Sequence, residues 1–275
     1  MSVQPGAPYS AWRRSSDAIG ELPNLPGRIA TFCAIELRRV VNDPWEIVTR
    51  VIQPILWLLI FGETLNRLNV FPTPGGIPYL TYLAPGIIAQ SAVFVAIFYG
   101  IMLVWERDAG LLAKMLATPT PRSAIVAGKA FAAALRGLVQ ACVIIALAAL
   151  LGVGIIWDPL TLLAAAVFIV LGASFFACLS MVLAGLVRQR ERMMGIGQAI
   201  SLPLFFASNA LYPTSVMPKA LQYVSMGNPM SYQVDALRGL LVGTPSHLLL
   251  DFVVLIGSLA VMVSLAAALL MRLVR

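Results

Sequence analysis

Long apolar runs separated by short basic clusters set the pattern of this chain. A helix that crosses a bilayer needs about 20 mostly apolar residues, and six segments meet that length. They run over about 44–66, 79–105, 137–156, 159–187, 193–211 and 248–271. The first has a marked start: Asp43 is placed to N-cap, Pro44 suits the first helical position and Glu46 completes a capping box. Between the fifth and sixth runs, prolines punctuate two short amphipathic pieces with few charges. A loop of that kind dips into the membrane face or forms a simple extracellular cap, and the pattern leaves both open. Residues 28–42 mix Ile29, Phe32, Leu37, Val40 and Val41 with Arg28, Arg38 and Arg39. This reads as a short helix, lying along the interface or standing in solvent. Residues 1–27 are rich in Pro, Gly and Ser and are expected to be flexible. No internal repeat is visible.

Composition agrees with the pattern. Of 275 residues, 60% are hydrophobic and 11% charged, against about 25% charged in a soluble domain. Mean hydropathy is +0.89. A soluble fold of this size has no way to hide so much apolar surface. A soluble enzyme, a disordered protein and a disulfide-rich secreted module are excluded. The net charge of +7 raises nucleic acid as a partner. The basic residues sit in clusters between apolar runs, however, which is a topology signal.

Those clusters orient the spans. Arg13, Arg14, Arg28, Arg38, Arg39 and Arg50 precede or enter the first. Arg107, Lys114, Arg122, Lys129 and Arg136 lie between the second and third, and Arg188, Arg190 and Arg192 between the fourth and fifth. Arg272 and Arg275 follow the sixth. The opposite side holds only Arg67, Lys219 and Arg238. The positive-inside rule then places both termini in the cytoplasm. The 16 Arg against 3 Lys point to a GC-rich bacterial genome, hence to a bacterial plasma membrane. The first 46 residues hold no apolar core followed by a small-residue cleavage site. The first span is therefore expected to act as its own insertion signal.

Several chemistries are missing. Gly128-Lys129-Ala130 is the nearest approach to a phosphate loop, and it lacks both the upstream glycine and the hydroxyl that would hold magnesium. The chain is not expected to hydrolyse ATP alone. There is no GxSxG or HExxH. Cys33, Cys142 and Cys178 form no CxxC and read as packing residues, and His247 is the only histidine, so no metal site is expected. Ionisable residues inside the spans are nearly absent, with Glu63 at the end of the first span placed to pair with Arg67. Spans two to six offer mainly Gln90, Gln140, Gln198, Asn209 and scattered Ser. That lining suits amphipathic or lipid-like cargo better than small ions.

Two stretches carry more specific patterns. After the second span comes Glu106-Arg107-Asp108-Ala109-Gly110-Leu111-Leu112-Ala113-Lys114-Met115-Leu116, stopped by Thr118-Pro119-Thr120-Pro121. Leu111, Leu112, Met115 and Leu116 form an apolar ridge on a short amphipathic helix. The ridge suits docking in a groove on a soluble partner or packing on its own bundle, and spacing does not choose. After the fifth span come Tyr212-Pro213, Met217-Pro218 and Asn228-Pro229-Met230-Ser231-Tyr232, then Asp235 and Arg238. Asp235 and Arg238 lie three apart and are placed to pair at the membrane surface or to serve as an interfacial anchor.

Together these stretches, in this order and on these sides, resemble the permease subunits of type-2 ABC exporters, the daunorubicin-resistance and nodulation-protein-J type. The likeness covers nearly all of the chain after residue 28. It implies an all-α integral membrane protein with six transmembrane helices, an N-terminal interfacial helix, a cytoplasmic coupling helix and short outer re-entrant helices between spans five and six. The membrane domain would be 28–275. Two separately encoded ATPase subunits would bind the cytoplasmic face and carry ATP and Mg, with no cofactor on this chain. A second permease copy or a sister permease would complete the complex in the lipid bilayer. The coupling helix would use Glu106, Arg107, Asp108, Gly110, Leu111, Leu112, Lys114, Met115 and Leu116, and the N-terminal helix would be a second ATPase contact. Pro213, Pro218, Asn228, Pro229, Asp235 and Arg238 would belong to an outer gate. The substrate-binding residues are not legible. A hydrophobic drug or antibiotic is the expected cargo. A lipid or lipid-linked glycan, with Phe94, Phe98 and Tyr99 as an aromatic lining, is the alternative. A non-transporting scaffold and an ion-coupled carrier are readings of other classes.

Overall fold

The computed structural model describes residues 51–65, 73, 76–116, 122–187 and 190–274. The expected flexible segment 1–27, the expected helix at 28–42, the capped start at Asp43–Glu46 and Arg67 lie outside them. Among the described residues the chain is helical, without strands. In order it forms α1 (Val51–Glu63), α2 (Tyr79–Asp108), α3 (Leu111–Leu116), α4 (Arg122–Leu150), α5 (Pro159–Val187) and α6 (Arg190–Phe206). A 3-10 turn at Thr214–Val216 leads to α7 (Lys219–Met226), α8 (Pro229–Val242) and α9 (Leu248–Val274).

Among the described residues, four helices are long and apolar enough to cross a membrane: α2, α4, α5 and the Leu248–Leu270 part of α9. The described part of α1 and the Gly195–Phe206 part of α6 are shorter apolar helices. In α1 the turns at Trp57–Glu63 widen to π-helical winding.

Two expected spans differ at their boundaries, the third (α4) at both ends and the fifth (α6) at its C-terminal end. The third helix begins at Arg122, not near Gly137. Arg122, Lys129 and Arg136 were expected in a loop because they are charged. Spaced by seven, they fall on one stripe of a continuous helix, while Ile125, Val126, Ala130, Ala133 and Ala134 are buried. The helix then stops at Leu150, and Gly152 turns the chain at φ +83°. The fifth helix ends at Phe206, short of Leu211. Pro203 sits in its last turn, and 207–212 leave helical geometry.

α5 is the central element and packs on α2, α4, α8 and α9. It is apolar on all sides, the composition of a buried helix. Small residues let its neighbours approach, as membrane packing requires where lipid is as apolar as the helices. A Cβ on Gly137 of α4 would lie 3.2 Å from the Ala92 carbonyl oxygen and 3.3 Å from the Ala173 Cβ. α2 is buried at every position from Tyr82 to Val93. α9 is the opposite, with Leu249, Val253 and Val261 79%, 59% and 56% exposed. An apolar face of that extent suits hydrocarbon and not water.

Candidate functional site

The unusual side chains gather at two ends of the described helices. The first end is the elbow between α2 and α3. α2 ends at Asp108, and the chain turns through Gly110 at φ +72°. That left-handed conformation crowds any Cβ, so glycine is the residue the turn admits most readily. Glu106, on the last turn of α2, forms an ion pair with Lys129 on α4, both side chains part-exposed at 18% and 16%. Arg107 pairs with Asp108 at 2.7 Å in a more open setting. The charged start of the motif thus ties the elbow to α4.

The apolar ridge is split. α3 packs back against α2, and Leu112 is fully buried. Leu111 points out and is 42% exposed. A helix turns about 100° per residue, so two adjacent leucines on so short a helix do not share one face. The side chains of Lys114, Met115 and Leu116 lie outside the described set.

The second end is built on α8, which enters the bundle and packs against α2, α5 and α9. Asn228 N-caps it: its side chain accepts from the Met230 amide at 3.0 Å, with Pro229 in the first turn. The same side chain donates through Nδ2 to the Leu204 carbonyl at 2.6 Å. Leu204 lies in the last turn of α6, where helix carbonyls have no partner of their own. Asn228 therefore closes one helix and opens another. Pro213 and Pro218 precede the 3-10 turn and α7.

The pair expected between Asp235 and Arg238 does not form. Arg238 is 4% exposed and is directed across to α2. Its guanidinium lies over the Tyr82 ring, 3.8 Å from the centroid. Its Nη2 donates to the Asn209 carbonyl at 2.9 Å, which also accepts from the Tyr82 hydroxyl at 3.1 Å. Tyr79 donates to the Leu211 carbonyl at 2.7 Å, and Tyr212 to the Phe206 carbonyl at 2.8 Å. Two carbonyls of the non-helical stretch after α6, those of Asn209 and Leu211, are thus met by side chains. Packing there is tight: a Cβ on Gly86 would lie 2.7 Å from the Ala210 carbonyl oxygen. A Cβ on Gly172 would collide with the Gln233 side chain, whose amide is buried with no partner on either atom.

Sequence reasoning missed Tyr79, Tyr82 and Lys129 as partners in these ends. It also passed over Asp251, which lies inside the sixth predicted span and is 2% exposed. Tyr79 and Tyr82, one turn apart at a helix start, were the available signal. Among the described residues no group of three His, Cys, Asp or Glu is placed to hold a metal.

Comparison with known proteins gives the architecture its family. The chain is 27% identical over 293 residues to the daunorubicin resistance ABC transporter permease protein DrrB1 of Streptomyces coeruleorubidus, covering 100% of this chain and 98% of that protein. It is 27% identical over 229 residues to nodulation protein J of Rhizobium leguminosarum bv. trifolii, covering 80% and 85%. The family model for the ABC-2 type transporter matches residues 28–242, and the chain belongs to that family.

Proposed function

We propose that the chain is the permease of an ATP-driven exporter that moves a hydrophobic drug, antibiotic or similar amphipathic compound out of a bacterial cytoplasm. The observation that carries the cargo class is the full-length likeness to a daunorubicin resistance permease. The apolar helices agree with it. In this reading α1 and α6, with α2, α4, α5 and α9, make six spans with both termini cytoplasmic. Two ATPase subunits, which bind ATP and Mg, engage the elbow at Glu106–Leu116 and the N-terminal segment. A second permease completes the route. The α8 end is the outer gate, with Asn228, Pro229 and Arg238 holding it to α2 and α6.

The elbow geometry chooses the test. Leu111 is the exposed leucine, whereas Leu112 is packed inside, so Leu111→Asp changes the docking surface and spares the core. The full chain is expressed with the ATPase encoded beside its gene and extracted in mild detergent. The wild type is expected to elute with the ATPase, and Leu111→Asp to elute alone with an unchanged melting temperature. Equal complex formation by both overturns the coupling role of this helix. In inside-out vesicles, ATP is expected to drive uptake of an amphipathic dye. Uptake that follows a proton gradient instead overturns the ATP-driven reading.

A further inference from the structure

A cleft of about 470 Å³ opens beside α8. Its polar wall comes from Asn209, from Gln222 on α7, from Asp235 on α8, and from His247 and Asp251 at the head of α9. Met226, Tyr232 and Leu250 supply an apolar part. The volume falls in the range of pockets for drug-sized ligands.

The wall also carries the Thr214 and Ser215 hydroxyls, and two of its buried acceptors stand without a donor. Asp251 is 2% exposed, and its Oδ2 has no hydrogen-bond partner. The Oδ1 of Asn209 is also buried without one. Asp235 lines the same cleft. Arg238, the nearest arginine or lysine along the chain, is turned away to the Tyr82 ring and the Asn209 carbonyl, and His247 is the other basic side chain on the wall. The Ser225 and Ser231 hydroxyls are engaged with each other at 3.0 Å. A carboxylate in the first turn of a helix gains from the helix dipole, which accounts for the position of Asp251 on α9. It does not supply a donor to Oδ2. Burying an ionised carboxylate without a partner is costly, and the part-exposed Asp235 on the same cleft repels it further.

We infer that this cleft binds the protonated amine of an amphipathic molecule. The ammonium donates to Asp251 Oδ2 and Asn209 Oδ1 and is balanced by Asp235, while the apolar body lies on Met226, Tyr232 and Leu250. An ammonium has three donors and no acceptor, the complement of this wall. The inference rests on the exporter reading for the source of the amine, a cargo near the exit. An aminophospholipid headgroup offers the same chemistry.

The test uses the full chain in nanodiscs of phosphatidylcholine alone. The probe is dansylcadaverine, a fluorescent primary amine, beside N-pentyl dansylamide, which has the same body without the ammonium. Saturable binding of the amine is expected, with the neutral analogue about tenfold weaker or more, the size of one lost charge-assisted hydrogen bond. Asp251→Asn is expected to bring the amine down to the affinity of the neutral analogue, and Asp235→Asn to weaken it less. Asp251→Asn removes an uncompensated charge, so it is expected to fold and melt no lower than the wild type. The amine is expected to raise the melting temperature of the wild type only. Equal affinity for both probes, or an amine affinity unchanged in Asp251→Asn, overturns the proposal. Discs containing phosphatidylethanolamine separate the sources. Competition assigns the site to the lipid headgroup and its absence to cargo, both keeping the amine. Co-elution with the ATPase is read separately, so loss of the exporter reading and loss of this site give different results.

Discussion

At the α3 end the chain is tied down by charge near the surface, whereas at the α8 end it is tied by donors that reach backbone carbonyls in the interior. Glu106–Lys129 and Arg107–Asp108 hold the elbow, and one buried leucine seats α3. At the other end Arg238, Asn228, Tyr79 and Tyr82 each satisfy a carbonyl that no helix satisfies. The difference follows from surroundings. Near water, a lost ion pair is replaced by hydration at little cost. Deep in the bundle, a lost donor leaves an acceptor with nothing. The contacts that hold the elbow are therefore cheaper to lose than those that hold the α8 end.

Substitutions sharpen this contrast, beginning with the largest expected effect. Arg238→Ala removes a buried cation, its ring contact and the donor to Asn209. A loss of about 3–5 kcal/mol is expected, seen as a collapsed melting temperature in detergent. Arg238→Lys is expected to recover only part of it, because an ammonium cannot lie flat on Tyr82 while reaching the same carbonyl. Leu112→Ala is expected to cost about 2–3 kcal/mol, whereas Leu111→Ala stays within about 0.5 kcal/mol on the same measurement. Equal effects would mean that α3 does not seat on α2. Asn228→Ala is expected to cost about 1–2 kcal/mol, since it removes the α8 cap and the bond to Leu204. Glu106→Gln is expected to cost under about 1 kcal/mol. A loss as large as that of Asn228→Ala would erase the contrast between the two ends.

The smallest effect concerns acid. Asp158 is fully exposed and lies just before α5, where it accepts from the Thr161 amide and hydroxyl at 2.9 Å each. The Thr161 backbone amide, then its hydroxyl, hold the Asp158 carboxyl below its ordinary pKa of 3.8. A depressed carboxylate contributes stability that is fully present above that value and is lost as pH falls through the folded one. A slight drop in melting temperature on acidification is expected in the wild type, and a smaller one in Asp158→Asn. An identical acid response in both would remove the cap from this account.

Much of the chain was legible because membrane helices are written in hydropathy. The fourth run, 159–187, and the start of the second at Tyr79 coincide with α5 and α2. The elbow was read as one helix from Glu106 to Leu116, whereas the chain turns at Gly110, and the Asn228-Pro229 cap of α8 left a local signature that the reading passed over. Hydropathy failed at Arg122–Arg136, where a charged stripe on an otherwise buried helix looked like a loop. It failed again at Asp251, a single carboxylate diluted in an apolar run.

The sequence by itself determined the class of molecule, the apolar helices and the place of the two motif stretches, because each depends on residues near one another along the chain. Only the tertiary structure decided which leucine of the elbow is available, that Arg238 serves Tyr82 and Asn209 instead of Asp235, and that Asp251 faces a cleft without a donor. Those outcomes depend on helices far apart in sequence competing for the same buried donors and acceptors. Proximity in space settles that competition, and spacing along one helix does not encode it.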